Sequence, residues 1–152
     1  MTEEIVLTLV KESLEKIKMV RFRALGSSMF PFIKNGDIIT VKYINSKDIV
    51  IGDILLYQRD EKFFVHRLID KRRNNNNIYY ITKGDNLPNS DLPIEISSIK
   101  GKVVEIQNDK RRISLDSLKM KIVNYSIAKI LTFLIFYIIY ILKKLKHVFK
   151  LK

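Results

Sequence analysis

The sequence predicts a mainly β protein: an antiparallel, barrel- or sandwich-like β domain with an amphipathic helix before it and a long apolar helix after it. Three observations carry this prediction. Residues 2–19 repeat apolar positions at helical spacing among many charges. Residues 20–116 break into short strand-like runs separated by turn residues. From residue 117 onward the chain is apolar and then lysine-rich, with no acidic side chain. These shifts divide it into 1–19, 20–116 and 117–152. At 152 residues it is one domain with appendages, long enough to bury a core without cross-links. It has no Cys, which removes disulfides and thiolate-bound metal from consideration.

The first segment, "TEEIVLTLVKESLEKIKM", sets Ile5, Leu9 and Ile17 along one helical face and Glu and Lys on the other. It is too charged for a signal peptide or a spanning segment. "VRFRAL" then alternates, with Val20, Phe22 and Ala24 on one side and Arg21 and Arg23 on the other, as a half-buried strand does. "DIITVKYI", "DILLYQ", "KFFVHRLI", "IYYITK", "KVVEIQ" and "RISL" follow at short intervals, the pattern of an antiparallel barrel or sandwich. Gly-Asp recurs at 36–37, 52–53 and 84–85, each time where a turn enters a strand. Asn74 to Asn77 reads as a surface loop.

The net charge of +12 first suggests a nucleic-acid binder, but its distribution argues otherwise. Residues 1–116 hold 20 basic residues against all 16 acidic ones, and eight Lys with no acid follow Asp116. A near-balanced body with a basic tail suits an anionic membrane surface, and no nucleic-acid partner is expected. Within the tail, "IVNYSIAKILTFLIFYIIYIL" (Ile122 to Leu142) is long enough to span a bilayer with Lys129 reaching toward one interface. Stepped around a helix, Lys121, Lys129, Lys143, Lys144, Lys146 and Lys150 share one side, which equally fits a helix lying in the interface. Both arrangements stay open. On either, the chain is membrane-associated through its C-terminal helix, and truncation after Asp116 should leave a soluble body.

The stretch "GSSMFPFIKNGDIITV" (residues 26–41) sets Ser27 and Ser28 side by side before Met29. A nucleophilic Ser needs a base within hydrogen-bond reach and donors for an oxyanion. The chain has two His. His147 stands in the lysine-rich tail and reads as a surface residue. His66, in "FFVHRLI", falls on the strand face that carries Phe64 and Leu68, where a lone His is more often a core residue than a catalyst. Taken singly, neither the serines nor His66 defines a site.

Taken together, "GSSMFPFIKNGD", "VHRLI" and "TKGDNLPNSD" resemble, in this order, the type I signal peptidases and their S24/S26 serine peptidase relatives over roughly residues 20–105. The family pattern is Ser-Met-x-Pro and Gly-Asp, then Lys or His followed by Arg, then Gly-Asp-Asn with a further Asp. The resemblance implies a signal-peptidase-like β domain and a serine endopeptidase that uses no cofactor and no metal. Ser28 would be the nucleophile and His66 the base, as in the archaeal and endoplasmic-reticulum type, with Arg67 completing that motif. A Lys base must be desolvated to work at neutral pH, whereas an imidazole already titrates near neutrality and gains from a carboxylate that fixes its tautomer. Asp91 is the favoured carboxylate, with Asp85 as its alternative and otherwise a turn residue. The substrate would be an extended peptide with small residues next to the cut. It would be held by strand addition along the segment before Ser28 and along Phe64 and Val65, with Met29, next to the nucleophile, as a further substrate-binding residue.

Three departures qualify the match. Gly26 stands where many signal peptidases carry a Ser that helps bind the oxyanion, and Ser27 stands where the family usually has Gly. The oxyanion site would rest on backbone N–H groups, chiefly that of Ser28, with the Ser27 hydroxyl as a further donor. The usual amino-terminal spanning helix is replaced by a charged one, and the apolar segment lies at the other end. Basic residues flank that segment on both sides, so charge bias does not say which membrane face carries the body. The expected partners are membrane lipid and a protein or peptide bearing a signal or leader sequence. The alternative is a catalytically inactive or self-cleaving S24/S26-fold protein acting as a tail-anchored interaction or regulatory module.

Overall fold

A computed structural model describes residues 3–75 and 77–149. The helix α1 (Glu3–Lys16) leads into seven strands: β1 (Met19–Arg23), β2 (Ile38–Lys42), β3 (Ile54–Arg59), β4 (Lys62–Asn74), β5 (Asn77–Lys83), β6 (Ile99–Asn108) and β7 (Arg111–Ser114). The chain then forms one long helix, α2 (Leu118–Phe149). Each predicted strand-like run forms a strand, and the expected mainly β, antiparallel class is the observed one.

All pairings are antiparallel, in the order β1-β2-β6-β3-β4-β5, with β7 also on β6. The long β6 is the pivot. Residues 102–107 pair with β2, 99–102 with β3, and 105–108 with β7. Irregular steps at Thr40/Val41, Leu56/Tyr57 and Leu68/Asp70 add local twist, so the sheet curls instead of lying flat. β3 and β4 join through Asp60 and Glu61, whose φ angles of 47° and 59° give the two-residue turn that matches strand twist. The predicted loop at Asn74 to Asn77 is instead an equally tight turn. Asn74 pairs with Asn77 and Asn75 sits at φ 51°, a conformation Asn tolerates, while Asn76 lies outside the described residues.

The apolar run of β3 reads continuously because both its faces are covered. Ile54 and Leu56 enter one core with Val41, Val103 and Ile106, while Leu55 and Tyr57 enter another with Leu68 and Tyr80. Each such fully buried side chain contributes about 1.5–3 kcal/mol. α1 covers the first core with Val10 and Leu14, not with the face expected from Ile5, Leu9 and Ile17. Leu9 is half exposed, Ile17 lies beyond the last helical residue and is exposed, and the burial of Ile5 is outside the described residues. Val10 and Leu14 are four apart and stack on one side, and contact with the sheet selects that side.

The first half of α2 is docked on the body. Asn124, Ala128 and Leu131 are buried, the latter two against Ile69 and Ile81. Gly52, at φ 99°, permits the approach, since a Cβ there would stand 2.6 Å from the Tyr125 backbone nitrogen. Truncation after Asp116 would therefore strip a buried face, contrary to the expectation of a free-standing body. The opposite face carries exposed Ile122, Phe133, Phe136, Tyr137 and Tyr140. Leu118–Leu142 is long and apolar enough to cross a membrane. Lys150 and the side chains of Lys143, Lys146 and His147 lie outside the described residues.

Candidate active site

The loop between β1 and β2 holds Ser28. Its base is closed by Ala24 N–H donating to the Asp37 carbonyl and Gly36 N–H donating to the Ala24 carbonyl, both at 2.8 Å. Gly26 takes φ 89° and donates its N–H to Asn35 Oδ1 at 2.9 Å, which a residue with a Cβ would do under strain. A short turn follows, with Phe32 and Ile33 N–H both donating to the Met29 carbonyl at 2.9 Å. Met29 and Ile33 are buried and anchor this turn in the main core. From the other side, Asn86 N–H donates to the Ser28 carbonyl at 2.8 Å. Gly84 allows that approach, because a Cβ there would stand 2.8 Å from the same oxygen. The third Gly-Asp thus serves close packing behind Ser28.

Strand alternation along β4 turns His66 toward Phe64 and Tyr57, with ring centroids about 6.1 Å away in each case. His66 Nε2 lies 3.2 Å from Ser28 Oγ, and Nδ1 lies 2.7 Å from Asp91 Oδ2. An ionised carboxylate only accepts, so the neutral ring carries its proton on Nδ1 and presents Nε2 as acceptor to the serine hydroxyl. Thr82 Oγ1 donates to the same Asp91 oxygen at 2.7 Å, and Asp91 N–H donates to the Thr82 carbonyl at 2.8 Å. Burial pushes the Asp91 carboxyl up, but the hydrogen bonds from His66 and Thr82 outweigh it and hold the group below its ordinary value. The Tyr57 hydroxyl lies 3.3 Å from Nδ1, and burial pushes it up to about 12.

Asp85 is engaged elsewhere. It accepts two hydrogen bonds from Arg67, from Nε at 2.8 Å and Nη2 at 2.7 Å. Arg67 is fully buried and also donates through Nη1 to the Gly52 carbonyl at 3.2 Å and to Asn124 Oδ1 at 2.8 Å. Its guanidinium lies over the Phe32 ring, 4.8 Å from the centroid. The structure therefore brings Ser28, His66 and Asp91 together and assigns Asp85 and Arg67 to a clamp beside them. Ser27 is exposed, and its contacts run through its carbonyl, to Phe30 N–H at 3.1 Å and Asn86 Nδ2 at 3.4 Å.

Sequence reasoning assigned no role to Thr82, Tyr57, Asn86 and Asn124. Thr82 and Asn86 lie in the "TKGDN" motif and were the readable ones; Tyr57 and Asn124 contact the site only through the tertiary fold. Lys83 is also buried, and burial pushes its ammonium down while Asp85 and Asp91 partly oppose the shift. Its hydrogen bond goes to the Gly84 carbonyl at 3.2 Å.

Ser28 and His66 open onto a cleft of about 450 Å³, lined mainly by apolar groups that include Phe22, Leu25, Met29, Phe64 and Val65. The cleft has unpaired backbone on two sides. Among the described residues, β1 pairs only with β2, and residues 62–66 of β4 pair only with β3 because β5 joins at Arg67. Among the described residues, the Ser28 N–H donates to no hydrogen-bond acceptor. This geometry fits acyl transfer on an extended chain: a hydroxyl beside an oriented base, a free N–H for an oxyanion, and edges for strand addition.

No curated protein matches the chain. The family model described as Peptidase S24-like matches residues 3–104, which span α1, the Ser28 loop, His66 and Asp91. The chain belongs to the Peptidase S24-like family.

Proposed function

We propose that the protein is a membrane-associated serine endopeptidase of signal-peptidase type that cuts signal or leader peptides after small residues. The observation that carries this reading is the Ser28–His66–Asp91 series, hydrogen-bonded at 3.2 and 2.7 Å, at the floor of a cleft between two unpaired strand edges. A peptide laid along those edges pairs with the backbone of β1 and of residues 63–65. Its scissile carbonyl then lies over Ser28.

Ser28 Oγ attacks the carbonyl carbon while His66 Nε2 takes the hydroxyl proton. Asp91 stabilises the resulting imidazolium, and the Ser28 N–H donates to the oxyanion. Collapse breaks the C–N bond as Nε2–H protonates the leaving amine. Water, activated by the same nitrogen, then releases the acyl group. With Gly26 in place of a hydroxyl-bearing residue, the oxyanion rests chiefly on backbone. Losing one donor of this kind costs about 10²–10³ in rate, so turnover is expected to be slow.

A second reading has its own support in the family, which includes self-cleaving proteins: the chain cuts itself, or keeps the fold as an interaction module. A Ser–His pair and an open, two-edged cleft favour cleavage in trans. Incubating the full chain with synthetic peptides carrying Ala on both sides of a single candidate bond, and with its own Ser28→Ala variant, separates the readings. Cleavage of the peptides with the variant left intact supports the proposal. Cleavage of the variant alone supports self-processing, and neither supports the interaction module.

A further inference from the structure

The exposed and docked faces of α2 bear on how the helix meets a membrane. Stepping about 100° per residue, Asn124, Ala128, Leu131 and Ile135 form one stripe, and this stripe packs on the body. Thr132 Oγ1 also donates to the Ile69 carbonyl at 3.5 Å. Ile122, Phe133, Phe136 and Tyr140 fall on the far side, with Tyr125 on the flank between the two, and all five are exposed. Packing therefore reaches as far as Ile135, beyond the middle of the apolar segment. Residues 136–149 remain, and at about 1.5 Å each they extend roughly 21 Å, short of a hydrocarbon core of about 30 Å. That remainder also contains Lys143, Lys144, Lys146 and His147. A crossing helix would have to peel off β4 and leave the buried Arg67 without Asn124.

We infer that α2 lies in the plane of an anionic lipid surface, with its docked stripe on the body and its outer stripe among the acyl chains. This rests on the membrane association proposed above and specifies its geometry. Charge selects the occupant. Eight Lys and no acidic residue follow Asp116, and Lys119, Lys121, Lys129 and Lys144 are exposed along the helix. Lys129 falls within the outer stripe, and its ammonium reaches back over the Tyr125 ring, 5.4 Å from its centroid, so its stem can lie along apolar surface while its charge turns toward the headgroups. Anionic headgroups complement that array, whereas a second copy of the chain would set lysines against lysines. An in-plane helix keeps the catalytic cleft and the C-terminal lysines on one side of the membrane.

The chain has no Trp, so Ile122→Trp, Phe133→Trp and Tyr140→Trp, all at exposed positions, each supply a single fluorophore. Each full-length variant is mixed with phosphatidylglycerol–phosphatidylcholine vesicles whose acyl chains are brominated near the headgroup or near the bilayer centre. All three should be quenched most by the shallow bromines and to the same extent, with affinity falling about tenfold or more when salt is raised. Deep quenching at Phe133→Trp with shallow quenching at the other two would overturn the in-plane geometry and leave membrane association standing. Unquenched protein in the supernatant, monomeric or dimeric by light scattering, would overturn both. Cleavage of a soluble peptide, measured on the same samples, reads the peptidase proposal separately.

Discussion

His66 and Arg67 are neighbours on β4, yet alternation sends them to opposite faces and to opposite tasks. His66 sits between Ser28 and Asp91 at the edge of the cleft, with contacts of 3.2 and 2.7 Å. Arg67 is sealed with Asp85, whose two oxygens it holds at 2.8 and 2.7 Å, and reaches α2 through Asn124. Each pair joins a basic side chain to an Asp of the 84–91 segment. The difference lies in what remains unsatisfied. Every polar group of Arg67 and Asp85 that is buried is matched, so the pair can only hold structure. His66 keeps one nitrogen turned to a hydroxyl that faces the cleft, so its pair can move a proton. The comparison predicts that damage on the His66 side appears chiefly in rate and damage on the Arg67 side chiefly in stability.

The largest effects should fall on the reacting groups. Ser28→Ala and His66→Ala should each lower kcat by about 10⁴ or more, by similar amounts and without adding in the double variant, because members of such a unit fail together. Ser27→Ala should keep at least roughly a tenth of the activity, since Ser27 contacts the site through its carbonyl. Peptide cleavage at saturating substrate checks all three. The two serine substitutions should leave the melting temperature nearly unchanged, whereas His66→Ala removes a buried ring and a hydrogen-bond partner of Asp91 and should lower it. Asp91→Asn should cost up to about 10⁴ in kcat by disturbing the tautomer of His66.

On the Arg67 side, Asp85→Ala should destabilise the fold by about 3–5 kcal/mol, because it leaves a guanidinium buried without its counter-ion. Denaturant unfolding measures this, and the residual folded fraction should retain His66-dependent cleavage. Asn124→Ala removes one acceptor from Arg67 and should cost about 1–3 kcal/mol. The smallest effect concerns acid stability. The Asp91 carboxyl is held below its ordinary value when folded, so its contribution is full above the ordinary carboxylate range and is lost as pH falls through the depressed value. Thermal unfolding of the wild type should therefore weaken at low pH, and Asp91→Asn should flatten that decline.

Much of this was legible in the sequence. Alternation in "VRFRAL" and the runs after it locates the strands, and three ordered motifs mark Ser28, His66 and Asp91. The choice between Asp85 and Asp91 was not decidable from spacing, because both flank one turn. Only the fold shows that Arg67 occupies Asp85. The α1 face was misread because Leu9, Val10 and Leu14 offer more than one apolar stripe, and docking on the sheet selects among them. The link from α2 to the site was invisible for a similar reason. Asn124 looks like a polar interruption in an apolar segment until Arg67 is found beneath it, 57 residues away in sequence. Close approach at Gly52 and Gly84 likewise has no signature beyond the glycines themselves.

The central claim, that Ser28 is activated by His66, is tested most directly by a fluorophosphonate that modifies only an activated serine, with the adduct located by mass spectrometry. The account predicts a single adduct on Ser28 in the wild type, retained in Ser27→Ala and in the folded fraction of Asp85→Ala. It predicts none in Ser28→Ala and labelling slowed by at least a hundredfold or so in His66→Ala. An adduct on Ser27, or undiminished labelling of Ser28 without His66, would contradict it.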